Sequence, residues 1–358
     1  MNPIDEISIS GYKSIRQLEN LKLQHLNVLV GANGAGKSNF ISFFRMLSRL
    51  ITGELGYYVA KAGGPDAVLH YGRKNTPQLT AEMYFGNNGY KMTLEATQAN
   101  TLIFAREAFF WNMRGDFLLG VGHSETRASS GIQRNIASFV VPAIKSWIVY
   151  HFHDTSDSAP MKQACMLNDN GWLRPDGANL AAYLYRLREQ FPEHYRRIVD
   201  TIRLAAPFFA DFQLRPNPLD PNSIQLEWKE KDSDFPFLAH HLSDGSLRFI
   251  CLAVVLLQPD ELMPATLLFD EPELGLHPYA IELLAALMKQ TSLKHQLIIS
   301  TQSVELLNQF EASNLIVVDR ENSQSTFKRP NEAELTEWLE DYSLGELWKR
   351  NVFGGRPR

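Results

Sequence analysis

Cysteine is scarce in this chain of 358 residues: only Cys165 and Cys251 occur. Two are too few for a disulfide framework, and the count points to a reducing cytoplasm. Long apolar runs are missing as well. The most apolar stretch, Phe249 to Leu257, falls far short of the roughly 20 residues that cross a bilayer, and Met1 to Glu6 lacks the basic-then-apolar order of a secretory signal. A membrane partner is therefore not expected. Nor is there an excess of positive charge. The formal net charge of −5 excludes a protein that holds nucleic acid by bulk charge alone, so any DNA contact needs a local patch. Two basic clusters qualify, Arg186, Arg188, Arg196, Arg197 and Arg203 in the middle, and Lys349, Arg350, Arg356 and Arg358 at the end. Either is also what a solvated helix face looks like. Internal repeats, low-complexity tracts, Gly/Ser linkers and sustained heptads are absent. With 44% hydrophobic and 21% charged residues, what remains is a globular chain long enough for one large α/β domain or two modest ones.

Against that background one segment stands out. Gly31-Ala32-Asn33-Gly34-Ala35-Gly36-Lys37-Ser38 spells the phosphate-binding loop pattern, after the mostly apolar run Leu26 to Val30 and before the helical-looking Asn39 to Leu50. Such a loop turns consecutive backbone N–H groups inward around phosphates, and the following helix adds the positive end of its dipole. Gly31, Gly34 and Gly36 let the backbone approach without a Cβ. Lys37 is placed to reach the β- and γ-phosphates, and Ser38 to offer a hydroxyl to Mg²⁺. The nucleotide-contacting set is Asn33, Gly34, Ala35, Gly36, Lys37, Ser38 and Asn39, and ATP with Mg²⁺ is the expected ligand. An ordinary Gly-rich turn is the bland alternative, disfavoured by the flanking strand and helix.

Along the chain, Glu6 to Ser10 and Leu26 to Val30 are predicted as two short strands, and Leu79 to Tyr84 and Lys91 to Ala96 as a hairpin about Phe85 to Gly89. Thr97 to Ile132 shows little order beyond one apolar element at Leu102 to Trp111. Trp147 to Phe152 resembles a buried strand. Leu180, Leu184 and Leu187, then Tyr195, Ile198 and Ile202, follow helical period with a break at Phe191-Pro192, which predicts a helical hairpin. Ile224, Leu226 and Trp228 alternate with polar residues and predict a strand.

Leu267-Leu268-Phe269-Asp270-Glu271 is an apolar run ending in two acids, the way a buried strand presents carboxylates at its carboxyl end. Asp270 would hold Mg²⁺, and Glu271 would orient and polarise the water that attacks the γ-phosphate. Without the phosphate loop the same run would be only a core strand entering a loop. Ser243 is placed as N-cap of the apolar helix Leu247 to Leu257, and with Gly245 it forms a possible anion site at a helix start. Gln296 to Ser300 is a further apolar strand, followed by Thr301-Gln302-Ser303. His151 and His153, two apart on a predicted strand beside Asp154, raise a metal site as a rival, although such pairs are more often core or loop residues. His240 and His241 would face opposite sides if extended.

Taken together, Gly31 to Ser38, Leu242 to Gly245, Asp270-Glu271-Pro272-Glu273-Leu274-Gly275-Leu276-His277-Pro278 and Ser300 to Ser303 resemble the AAA-family ATPases of the ABC class related to RecF, SMC and the overcoming-lysogenization-defect (OLD) nucleases. Ile7 to Ile15 is similar to that family's opening strand, and Leu344 to Trp348 to its closing segment. The resemblance implies an α/β fold, an ABC-type P-loop NTPase with a mixed parallel core sheet, an antiparallel edge sheet and a helical insert. It divides the chain into 1–96 (first part of the nucleotide lobe), 97–239 (inserted lobe), 240–330 (second part) and 331–358 (helical tail). It also implies that Ser243 and Gly245 close over nucleotide held by another subunit, hence a homodimer or higher oligomer. Gln302 stands where the family usually has a switch histidine. It can hydrogen-bond a γ-phosphate or the attacking water but carries no charge near neutral pH.

The roughly 205 residues between Ser38 and Ser243 are too few for SMC coiled-coil arms, and the tail beyond Gln302 leaves no room for a Toprim nuclease domain. The expected function is a cytoplasmic, Mg²⁺-dependent ATPase acting as a nucleotide-driven dimer switch. It resembles ATPases of bacterial anti-phage defence, with a separate effector protein such as a nuclease acting in trans. A RecF-like DNA-repair ATPase is the alternative, and a transporter ATPase subunit the more distant one.

Overall fold

The computed structural model describes residues 3–355. Arg356 and Arg358 of the second basic cluster lie outside the described residues. The chain opens on β1 (Glu6–Tyr12) and β2 (Ile15–Lys22), followed by β3 (Leu26–Val30) and, after the Gly-rich loop, α1 (Lys37–Ile51). Helix α2 (Leu55–Ala62) and one turn, α3 (Pro65–Val68), lead into β4 (Gln78–Phe85), β5 (Asn88–Ala96), β6 (Leu102–Trp111) and β7 (Gly115–Gly120), then α4 (Arg134–Lys145) and β8 (Ile148–Tyr150). Next come β9 (Cys165–Met166), α5 (Leu180–Gln190), α6 (Pro192–Ala205), and β10 (Phe209–Phe212), β11 (Pro216–Asn217), β12 (Asp220–Ile224), β13 (Glu227–Glu230) and β14 (Phe237–Leu238). The last third holds α7 (Asp244–Leu257), β15 (Thr266–Asp270), α8 (Pro278–Ser292), β16 (Gln296–Thr301), α9 (Val304–Leu307), β17 (Leu315–Glu321), β18 (Gln324–Lys328), α10 (Glu332–Leu339) and α11 (Leu344–Lys349).

These elements form two compact units. The first comprises Met1–Val149, Pro264–Asp270 and Lys294–Arg358, and the second Tyr150–Met263 and Glu271–Leu293. In the first unit β2-β1-β4-β5-β6-β7 form an antiparallel sheet, and a mixed sheet runs β18-β17-β3-β16-β15-β8. Within the mixed sheet β17, β3, β16 and β15 are parallel. The register pairs Val30 with both Thr301 and Val317, and Asp270 with Ser300, so the carboxyl ends of the central strands share one edge. All five residues of β3 are buried, as expected of a parallel strand covered on both faces. Helix α1 packs Phe40, Phe43, Phe44 and Leu47 into this unit's core, and Phe44 lies edge-on to Trp147 with ring centroids 4.9 Å apart.

The stretch after Thr97, which shows little order as sequence, continues the antiparallel sheet through β6 and β7 and ends in helix α4. The pairing of β6 is interrupted by a register shift opposite Thr93 and Leu94 of β5 and by another between Glu107 and Ala108. Glu107 is itself fully buried on β6, where its carboxylate accepts from Tyr90 Oη (2.6 Å), His123 Nε2 (2.8 Å), Arg127 N (2.8 Å) and Thr126. Burial, then the Glu107 charge, push the Tyr90 hydroxyl pKa well up. Strand β2 is likewise not foreseen from sequence.

In the second unit α5 and α6 form the expected helical hairpin, and Pro192 opens α6. The predicted strand over Ile224 to Trp228 divides between two sheets. Ile224, Leu226 and Trp228 are all buried, but β12 pairs with β9 and β11 whereas β13 pairs with β10 and β14. His240 and His241 sit in a 3₁₀ turn rather than an extended segment. Arg186 is turned onto the carbonyls of Asn170 and Gly171, Arg188 onto Glu189, and Arg203 onto Ala210 O and Asp200, whereas Arg196 and Arg197 are exposed. Among the described residues no helix is long and apolar enough to cross a membrane.

Truncating Phe44 to Ala removes a fully buried ring and should cost about 3–5 kcal/mol. Chemical denaturation followed by tryptophan fluorescence checks this; a loss below about 1 kcal/mol would show that the α1 core collapses around the gap.

Candidate functional site

In the first unit the candidate site grows from the end of β3. Helix α1 begins at Gly36, which offers no side-chain cap, and its first turn contains no acidic residue. The N–H groups at this end are left without a side-chain cap, in the positive field of the helix. Gly36 has φ 120, and a Cβ there would stand 2.0 Å from Ser325 Oγ, so glycine is required both for the dihedral and for the close approach. Ser325, from β18, donates to Ala35 O and shares a hydrogen bond with Ser14 Oγ (2.7 Å), which in turn accepts from Asn39 Nδ2 (2.7 Å). The loop is thus braced by residues from both ends of the sequence.

Lys37 is 4% exposed, and its ammonium donates to Gly31 O (2.7 Å) and Ala32 O (3.1 Å). A cation held by its own loop's carbonyls can exchange them for phosphate oxygens without leaving the loop. Asn33, Gly34 and Ser38 are exposed. Ser38 Oγ donates to Asp270 Oδ1 at 3.2 Å, and Ser300 Oγ donates to the same oxygen. Two hydroxyls and a carboxylate make an all-oxygen donor set of the kind a hard divalent cation takes. Gln302 follows the end of β16, half-buried. Arg320, from β17, lies 3.4 Å from Gly34 O and 3.3 Å from the Tyr71 hydroxyl. Hydrogen bonds from Arg320, then to Ser323, lower the exposed Tyr71 pKa. The structure thus brings together Lys37, Ser38 and Asp270, and adds Ser14 and Ser300 from segments noted in the sequence and Arg320 and Ser325, which belong to no contiguous motif.

In the second unit Ser243 caps α7, accepting from Ser246 N at 3.1 Å and bonding Ser246 Oγ at 2.8 Å. Gly245 packs against the backbone of the segment after Glu271: a Cβ at Gly245 would be 2.5 Å from Gly275 O. Glu271 is half-buried and adopts φ 48, an uncommon conformation for a residue with a Cβ. Its carbonyl lies 3.3 Å from His153 Nε2. The rings of His151 and His153 are tilted by 35° with centroids 3.7 Å apart, and the Asp154 carboxylate accepts instead from Ser156 N and Oγ. Among the described residues no group of three or more His, Cys, Asp or Glu side chains is placed to hold a metal ion.

A Gly-rich loop between a buried parallel strand and an uncapped helix, with a carboxylate at the end of a nearby strand in the same sheet, defines an ATPase of the ABC type. The family model described as "AAA domain, putative AbiEii toxin, Type IV TA system" matches residues 26–83 and 100–308, and the chain belongs to that family. No curated protein matches the sequence. Among solved structures the chain is similar to an SMC head bound to the C-terminal winged-helix domain of ScpA, with 17% identity, a TM-score of 0.61 and coverage of 91% of this chain and 97% of that one. An SMC head with an extended coiled coil, bound to the C-terminal domain of ScpA from Pyrococcus furiosus, gives 16%, 0.59, 95% and 99%. The SMC head from Thermotoga maritima gives 15%, 0.50, 92% and 100%. At such identities the likeness establishes the fold, which is that of SMC-head ATPases.

Gly36→Ala should lower the thermal midpoint even without nucleotide, because both the dihedral and the Ser325 contact oppose it. Differential scanning fluorimetry checks this. A midpoint equal to that of the unaltered protein would show that the loop has room the geometry denies.

Proposed function

We propose that this chain binds and hydrolyses ATP with Mg²⁺, and that nucleotide-driven pairing of two copies switches a separate effector in defence against phage. The observation that carries the chemical part is the Ser38–Asp270 pair beside the buried Lys37 ammonium. In this reading Asn33 to Asn39 wrap the phosphates, and Lys37 leaves the Gly31 and Ala32 carbonyls for the β- and γ-phosphate oxygens. Ser38 and Asp270 hold Mg²⁺, whose charge offsets that of the phosphates. Glu271 orients and polarises the attacking water as general base, and Gln302 hydrogen-bonds the γ-phosphate. Ser243 and Gly245 face a phosphate loop contributed by a second copy. Residues 1–96 and 240–330 then supply the nucleotide lobe around an inserted 97–239 segment, with 331–358 as its tail.

Two findings support the context. The family description names a toxin of a type IV toxin–antitoxin system, which favours a defence role over DNA repair. Two of the similar SMC heads carry a domain of ScpA, a precedent for a partner protein docking on this fold. A cytoplasmic location and an effector acting in trans follow from that reading.

Glu271→Gln should bind ATP yet turn it over at least about a hundredfold more slowly, and ATP should shift that variant to a dimer. Phosphate release and light scattering measure the two; near-normal turnover would remove Glu271 from its role. Mixing Lys37→Ala with Ser243→Arg subunits should restore activity, because one composite site per mixed dimer stays intact. Absence of recovery together with ATP-independent size argues against shared sites. ATP turnover stimulated by duplex DNA would move the assignment to the RecF-like alternative.

A further inference from the structure

One turn beyond Ser243–Gly245, helix α7 carries a guanidinium that donates to three main-chain carbonyls and one hydroxyl. Arg248 Nε donates to Phe152 O (3.1 Å), Nη2 to His153 O (2.9 Å) and Thr155 Oγ1 (3.2 Å), and Nη1 to Leu274 O (2.9 Å). None of the ion pairs among the described residues includes Arg248. A half-buried cation that spends its fork on the carbonyls of two separate segments is a backbone clip, because a carbonyl cannot rotate away as a side chain can.

What the clip holds is the stretch that begins with Glu271. Leu274 N donates to Glu271 O (3.3 Å) and Leu276 N to Glu273 O (3.0 Å), and His153, whose own carbonyl is held by Arg248, places its Nε2 at Glu271 O. Gly275 has φ 74, and a Cβ there would stand 2.4 Å from Arg248 Nη1. Gly275 O in turn leaves no room for a Cβ on Gly245. The start of α7, the Arg248 fork and the 271–276 segment therefore interlock through backbone, and a displacement of one is transmitted to the others.

We propose that Arg248 is a positioning residue that couples what happens at the Ser243–Gly245 helix start to the backbone of Glu271. Arg248 touches no reacting atom. It fixes Leu274 O directly and Glu271 O through His153, and so holds the Glu271 backbone in its unusual conformation. This inference rests on the reading of Glu271 as the group that orients the attacking water.

The test compares ATP turnover and ATP affinity in the full chain for the unaltered protein and for Arg248→Lys, Arg248→Ala, Glu271→Gln and the double variant Arg248→Lys/Glu271→Gln. Lysine keeps the charge but cannot bridge both segments with a fork. Arg248→Lys should lower kcat about tenfold or more, as a small misplacement of a catalytic group does. KM and the thermal midpoint should hardly change, and the double variant should lose no more than Glu271→Gln alone. A merely structural role predicts a lowered midpoint and losses that multiply in the double variant, and either result overturns the proposal, as does an unchanged kcat in Arg248→Lys. If Arg248→Ala fails to fold, the lysine variant and the double-variant comparison still decide. An inactive unaltered protein, or a Glu271→Gln variant with normal turnover, overturns the underlying hydrolysis reading and this proposal with it. A normal unaltered protein, a slow Glu271→Gln and a fully active Arg248→Lys overturn the coupling alone.

Discussion

The parallel register of β3, β16 and β15 is the constraint on which the first unit's site depends. Because Val30 pairs with Thr301 and Ser300 with Asp270, the chain leaves three neighbouring strands at one edge of the sheet, and the groups that meet anions and cations must issue from that edge. A register slip of one residue would turn Asp270 to the opposite face, since strand side chains alternate. The apolar residues that prevent the slip, Leu267, Leu268, Phe269, Leu297, Ile298 and Ile299, are all fully buried. Core packing and site geometry are therefore one requirement, and substitutions deep in these strands act on the phosphate edge without touching it.

The two carboxylates at the end of β15 obey different local rules. Asp270 is a strand residue fixed by the sheet and by two hydroxyls. Glu271 has left the strand in a left-handed conformation, which costs of the order of 1–3 kcal/mol and persists only where surroundings impose it. Neighbours in sequence thus obey opposite constraints, Asp270 the regular pairing of a strand and Glu271 the left-handed dihedral of a turn.

Much of this was legible as sequence where the relevant residues are contiguous. Gly31 to Ser38, the apolar run into Asp270, the Ser243 cap and the break at Phe191-Pro192 all carry their meaning within a few positions, and the elements stand where spacing puts them. The illegible parts depend on distant partners. Ser325 has no pattern of its own, and its use appears only when β18 meets the loop 290 residues away at Ala35. Arg248 resembles any basic residue on an apolar helix until the carbonyls it clips are in view. The apolar element at Leu102 to Trp111 is β6, but Glu107 hides its pairing, because an acid in a run that should alternate reads as exposed, whereas three side chains and a backbone N–H satisfy it in the interior.

The bracing of the phosphate loop by the far end of the chain has a consequence for synthesis. Both neighbours of β3 in the sheet come from beyond residue 295, and the Ser14–Ser325 hydrogen bond spans 311 positions. At about 5–20 residues per second, about 15 to 60 s separate the emergence of the loop from that of the strands flanking it. A ribosome-bound chain holds the complete binding motif yet no sheet to set it in. The sheet around the loop is therefore completed only late in synthesis, and a fragment that stops before residue 295 lacks both strands that flank β3.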